Sequence, residues 1–211
     1  MRGWFTGALM MGTLAASLAP TSAMAEDKTY SVTGGRLEVM VKYDRNALIG
    51  GHDHILESTS FSGSVTVDPA NPAGCKINLS MPVNTLSVDP AGARSRRGLE
   101  GTTSDGDKKS ILKNALSKGQ LNGEAHPNIT FASTSCAPAG DKIQVNGNLT
   151  IRGVSKPVST KIKVTADGAS FRGTGWFSTS HATFGFKPYS ALLGSLRNAE
   201  ELTMWVDVKG Q

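Results

Sequence analysis

The sequence predicts an all-β protein, an antiparallel sandwich or barrel, on three observations. Apolar and polar residues alternate along about eight short runs, turn-forming clusters separate the runs at intervals near ten residues, and there is little helical periodicity. Glycines inside the runs, Gly63, Gly147, Gly173 and Gly175, select a strongly coiled sheet and hence a barrel.

Taken in order, residues 36–44 place Leu37, Val39, Val41 and Tyr43 on one face. The segment Leu48-Ile-Gly-Gly-His-Asp-His54 is relaxed by its glycines and is expected to bend. Phe61–Val67 forms a strand with Phe61, Gly63, Val65 and Val67 on one side, and Asp68–Gly74 is a turn by composition. Ile77, Leu79 and Met81 alternate before Pro82 weakens the ladder.

Residues 89–108 break this rhythm. Gly, Ser, Arg and Asp dominate there, so the stretch is expected to be a surface loop, either mobile or ligand-facing. Its Arg94, Arg96 and Arg97 would then clamp a pyrophosphate, touch an anionic membrane surface or stand as solvated charges. A short helix follows, with Asp107 as its cap, Ile111, Leu112, Ala115 and Leu116 as its apolar stripe and Gly119 as its end.

Ile129–Ser135 and the run from Asn146 to Val158 flank the turn Ala137–Asp141 and so form a hairpin. In the second run Leu149 and Ile151 share a face, and Gly153 and Pro157 mark a bend into the next strand. Val158–Val164, Phe171–Thr179 and Leu202–Val208 complete the count.

Residues 1–25 carry a single charge, Arg2, an apolar run from Trp4 to Leu18 and a small-residue Ala23-Met-Ala25 ending, the pattern of a secretory signal peptide cleaved near Ala25. The expected mature protein, residues 26–211, is a single domain in the periplasm or outside the cell. Its net charge drops from +5 to +4 without the leader, and its cations are scattered among acids, which argues against a nucleic acid partner. An exported context permits a disulfide between Cys75 and Cys136, the only cysteines. A constant-sum antiparallel register through that pair would set Phe131 opposite Ser80; the alternative is two separate buried thiols.

Three runs carry a family likeness: His126-Pro-Asn-Ile-Thr-Phe-Ala-Ser-Thr, Gly147-Asn-Leu-Thr-Ile-Arg-Gly-Val-Ser-Lys-Pro-Val and Phe184-Gly-Phe. From about Tyr30 to the C-terminus the chain resembles the YceI-like family of exported polyisoprenoid-binding proteins. The resemblance implies an elongated, lipocalin-like, eight-stranded antiparallel barrel with one short helix near its mouth. It also implies a carrier that holds one long-chain isoprenoid, such as a prenyl quinone or a polyprenyl phosphate, in the lumen, with nothing that asks for catalysis; no cofactor is expected, and transient membrane contact is left open.

On that reading Leu37, Val39, Phe61, Ile77, Leu79, Phe131, Leu149, Ile151 and Trp176 line the lumen, with Trp176 and Phe177 on opposite faces of their strand. His52, His54 and Arg94 are expected to contact the head group. Two other functions are weighed, beside a structural module that binds another exported protein by a sheet edge. His52 and His54, two apart, can chelate a metal or haem iron if His126 or His181 joins them. A lipid-modifying hydrolase is the other, against which stand the missing Gly-x-Ser-x-Gly elbow and the unpaired carboxylates.

Overall fold

The protein was analysed as a computed structural model that describes residue 1, residues 28–68 and residues 71–211. Residues 2–25 of the expected signal peptide and residues 69 and 70 of the expected turn lie outside the described residues.

The strands are β1 (Lys28–Tyr43), β2 (His54–Ser58), β3 (Ser62–Val67), β4 (Lys76–Pro82), β5 (Ser87–Val88), β6 (Asn128–Ala139), β7 (Lys142–Ile151), β8 (Val154–Ala166), β9 (Phe171–Ser180), β10 (Ser190–Ala191) and β11 (Leu196–Gly210). Two helices, α1 (Ala93–Arg96) and α2 (Asp105–Leu116), lie between β5 and β6. Eight long strands, β1, β3, β4, β6, β7, β8, β9 and β11, pair antiparallel in that order, and β11 returns to β1 to close a barrel. The expected all-β, eight-stranded antiparallel barrel is the fold observed.

Closure rests on a long seam: Val32 pairs with Gly210 at one end of β1 and Tyr43 with Asn198 at the other. The sequence reading missed β2. It pairs with β1 over residues 37–41, while β3 pairs with β1 over residues 28–31, so β2 and β3 continue one line past a break at 59–61.

The run from Asn146 to Val158 is not one strand. Arg152 (φ 54°) and Gly153 (φ 74°) form a two-residue turn between paired Ile151 and Val154, because successive left-handed residues match the twist of a tight hairpin. Pro157 lies inside β8 opposite Asn148, but the β8–β9 ladder begins only at Ile162, so its missing N–H faces no partner strand there. Gly147 has a packing reason: a Cβ there would fall 2.4 Å from the Phe131 ring and 2.5 Å from the Ala132 carbonyl oxygen.

Helix α2 begins one turn earlier than expected. Its cap is Ser104, whose Oγ accepts the Asp107 N–H at 3.1 Å and donates to the Asp107 carboxylate at 2.7 Å; the chain leaves the helix at Ser117 rather than Gly119. The stripe Ile111, Leu112, Ala115 and Leu116 packs on the core of the barrel's upper half. The segment 89–104 is neither loose nor wholly surface: it contains α1, and Ala93 is fully buried against Met40 and Ile55 on the outer face of β1 and β2.

Two apolar clusters line the barrel's interior. The upper one centres on Leu37, Met81, Phe184 and Met204 and the lower on Tyr30, Val65, Val145 and Phe171. Cys75 and Cys136 are bridged in the lower one, with Cα atoms 5.8 Å apart. The register differs by one from the expected one, with Leu79 rather than Ser80 opposite Phe131. Continued without interruption, that ladder would set Ser135 against position 75. A bulge between Ser133 and Ser135 adds one residue to β6 and brings Cys136 there instead.

The bridge closes a loop spanning 61 positions, which by chain entropy stabilises the fold by about 4 kcal/mol. The double variant Cys75→Ser/Cys136→Ser is expected to lose about that much in urea unfolding with its lumen unchanged.

Candidate functional site

The lumen has two chambers. The narrow one, about 110 Å³, occupies the end of the barrel that holds the disulfide, and its exposed lining is apolar. The wide one, about 890 Å³, opens at the other end, where β1 and β9 finish and β2 and β11 begin. Leu37, Ile129 and Met204 line both, so the chambers are contiguous.

Alternation along each strand explains the lining. Of the nine residues expected there, Leu37, Val39 and Ile151 face the wide chamber, and Leu37, Phe61, Ile77, Leu79, Phe131 and Leu149 face the narrow one. Trp176 is a correction: it points outward, 61% exposed, opposite Trp205 on β11. The physical reason is parity, since Gly173, Gly175 and Phe177 take the inward positions of β9. Those glycines were the usable signal, because inward sites on a tightly coiled strand have little room for a side chain. The sequence reading also left out Val145, Ile162 and Phe171 below and Leu121, Phe186 and Tyr189 above.

The mouth is polar. His52, in the loop before β2, and His54, first residue of β2, both line it, with ring centroids 6.4 Å apart. Buried Asp89 organises this region. Its carboxylate accepts the Ile55 N–H at 2.8 Å, the Thr103 hydroxyl at 2.6 Å and His54 Nδ1–H at 2.7 Å, and Arg94 Nη1 lies 3.3 Å away. Burial alone would push the Asp89 carboxyl up. The hydrogen bonds from His54, Ile55 and Thr103 outweigh it and hold the group at about 2.

Arg94 lines the mouth, yet most of its donors are committed to the protein. It donates to the carbonyls of Asp53 (2.8 Å), Gly101 (3.1 Å) and Glu100 (2.5 Å) as well as approaching Asp89. Arg96 and Arg97 lie outside the barrel, paired with Glu38 and Glu57, which face each other across β1 and β2. Burial pushes the Glu38 carboxyl up, but Arg96 and Arg97 bring it below its usual range. The three arginines therefore fasten segment 89–104 and form neither an anion clamp nor a solvated patch.

His181 is the polar lumen residue whose place the sequence left open. It is buried and lines the wide chamber beside Phe186, edge to face at 5.2 Å. Its Nδ1 lies 2.9 Å from the Glu200 carbonyl oxygen, so Nδ1 carries the proton and Nε2 is left as an acceptor. Burial lowers its pKa, which keeps the ring neutral at neutral pH. His126 is elsewhere, against Gly153 at the β7–β8 turn. Among the described residues no group of three or more His, Cys, Asp or Glu is placed to hold a metal ion.

The family model of the YceI-like domain matches residues 46–208, most of the barrel. The chain belongs to the YceI-like domain family. Among curated proteins, this YceI-like chain is 34% identical to protein YceI of Escherichia coli O157:H7 and 38% identical to a UPF0312 protein of Yersinia pestis (strain Pestoides F), each over 108 residues. Both alignments take in 51% of this chain and 47% of the relative, so the chain spans about half the length of the curated relatives it matches.

Among solved structures, BcnA of Burkholderia cenocepacia superposes with a TM-score of 0.61 at 20% identity, covering 83% of this chain and 96% of that one. The Campylobacter jejuni YCEI protein superposes at 0.51 with 14% identity, covering 77% and 86%. These likenesses support the barrel fold. The family is known for binding isoprenoid lipids.

The Asp89 network has a pH signature. A carboxyl whose folded pKa is about 2, against an ordinary 3.8, contributes stability that is fully present above pH 3.8 and lost as pH falls through 2. Asp89→Asn is expected to cost about 2 kcal/mol at pH 7. In urea unfolding the gap from wild type should close between pH 4 and pH 2; a gap constant over that range would contradict the network.

Proposed function

We propose that the protein is an exported carrier, periplasmic or secreted, that sequesters or shuttles one long-chain isoprenoid lipid. The observation that carries this reading is the contiguous lumen, apolar in its narrow, disulfide-bearing end and furnished with polar side chains at its wide mouth. Such a gradient suits a ligand with a long apolar tail and a small polar head. The tail enters the narrow chamber and the head stays among His52, His54 and His181.

Each buried methylene contributes about 0.8 kcal/mol gross, so a single five-carbon unit contributes about 4 kcal/mol before the ordering of the tail is subtracted. Tail burial thus accounts for retention, and the polar rim for selection. The rim favours an uncharged head. Arg94 has spent most of its donors on the protein, and Glu100 and Asp107 line the mouth, so a phosphate would meet carboxylates without a free arginine fork. A prenyl quinone or its quinol is the better fit, the quinol hydroxyl donating to an imidazole Nε2.

The test is to extract purified protein with organic solvent, identify the lipid by mass spectrometry, and titrate a prenyl quinone and a polyprenyl phosphate separately. The expected result is a co-purified isoprenoid and tighter binding of the quinone. No lipid and no quinone binding would overturn the proposal. Val158 lines the narrow chamber, and Val158→Phe is expected to weaken a long-tailed quinone at least about ten-fold, by excluding buried methylenes, while sparing a one-unit analogue.

A further inference from the structure

Four large aliphatic side chains stand out of the surface together on the rim. Leu48 is 89% exposed, Ile49 43%, Leu192 64% and Leu193 108%. These four belong to two loops, residues 44–53 and 189–195. The loops are tied together: the Ile49 N–H donates to the Ser195 carbonyl at 2.8 Å, the Asp44 N–H to the Arg197 carbonyl at 2.9 Å and the Asn198 N–H to the Tyr189 carbonyl at 2.9 Å.

The backbone holds them out at a cost. Leu192 (φ 52°) and Leu193 (φ 55°) are consecutive left-handed residues, a conformation that side chains bearing a Cβ rarely adopt. The same loops reach into the lumen, since Gly50, Gly51 and Tyr189 line the wide chamber. An apolar prominence is therefore continuous with the opening.

Its charges are balanced. Arg45 pairs with Asp53 at 2.8 Å, Arg197 with Asp44 at 2.5 Å and Lys42 with Glu201 at 3.6 Å. Paired charges around projecting leucines suit insertion into the interface of an uncharged phospholipid surface, where apolar burial rather than anionic lipid supplies the attraction.

We propose that the joined loops 44–53 and 189–195 dock the protein on a phospholipid bilayer by inserting Leu48, Leu192 and Leu193, so that the lumen opens directly onto lipid. This deepens the carrier reading and rests on it for the purpose of docking, though not for docking itself.

The test is flotation with phosphatidylcholine vesicles at low and high salt, with and without an anionic lipid, beside a solution titration of a prenyl quinone. Wild type is expected to float with pure phosphatidylcholine and to do so equally at high salt. Leu192→Asn/Leu193→Asn, in which asparagine tolerates the left-handed backbone, is expected to float at least about ten-fold less while binding quinone as wild type does. Leu48→Ser, in the other loop, should give a smaller loss, and a thermal melt checks that each variant is folded. Wild type that stays off vesicles, folded variants that float undiminished, or self-association that these leucines mediate without vesicle binding would each overturn the docking. Wild type that floats but takes no quinone would instead refute the carrier reading and leave the docking standing.

Discussion

Everything in this barrel depends on the pairing of β1 with β11, which joins the first described strand to the last and closes the eight long strands on themselves. Closure makes a lumen, and it also leaves β1 with two faces to account for. Inward go Leu37, Val39, Val41 and Tyr43, which run from the apolar depth to the mouth. Outward go Glu38 and Met40, both buried. Burying Glu38 demands cations, and the segment between β5 and α2 supplies them as Arg96 and Arg97 while setting Ala93 on Met40. One strand therefore explains why an arginine-rich stretch that reads as a loop is fastened to the barrel.

The same segment shapes the mouth. Asp89 holds β2 through Ile55, the rim through His54 and the approach to α2 through Thr103. From there Ser104 starts α2, whose Ile111 and Ala115 face the wide chamber. The polar rim is thus built by structural bonds that leave few donors free, and the proposal of a small, uncharged head group rests on this. His54 and His181 share one device, Nδ1 tied to the protein, at the Asp89 carboxylate and the Glu200 carbonyl respectively.

Strand identity and facing were legible wherever alternation was uninterrupted, as in Leu37 to Tyr43 or Leu149 to Ile151. They failed where the backbone departs from a plain ladder. The bulge at Ser133–Ser135 shifted the expected register by one, although Cys75 and Cys136 do meet. The Arg152-Gly153 turn was read as a bend because left-handed arginine leaves no mark in composition. Strand β2, with Glu57 and Ser58 buried by outside partners, carries no apolar alternation to detect. Alternation puts Trp176 and Phe177 on opposite faces and leaves open which is inward; Trp176 was the residue expected there, whereas Gly173 and Gly175 set the parity of β9 for Phe177. His181 was visible only as a residue awaiting neighbours, since its place in the chamber is fixed by contacts with Phe186 and Glu200, distant from it in the alternating pattern or outside it.

The central claim is that the narrow, disulfide-bearing end of the lumen receives the tail of the ligand. A crystal of the protein loaded with a prenyl quinone brominated at its tail terminus would locate that atom directly by anomalous scattering. The account predicts a bromine peak inside the barrel near Ile77, Ile162 and Phe171. A peak at the mouth among His52, His54 and His181, or on the outer surface, would contradict it.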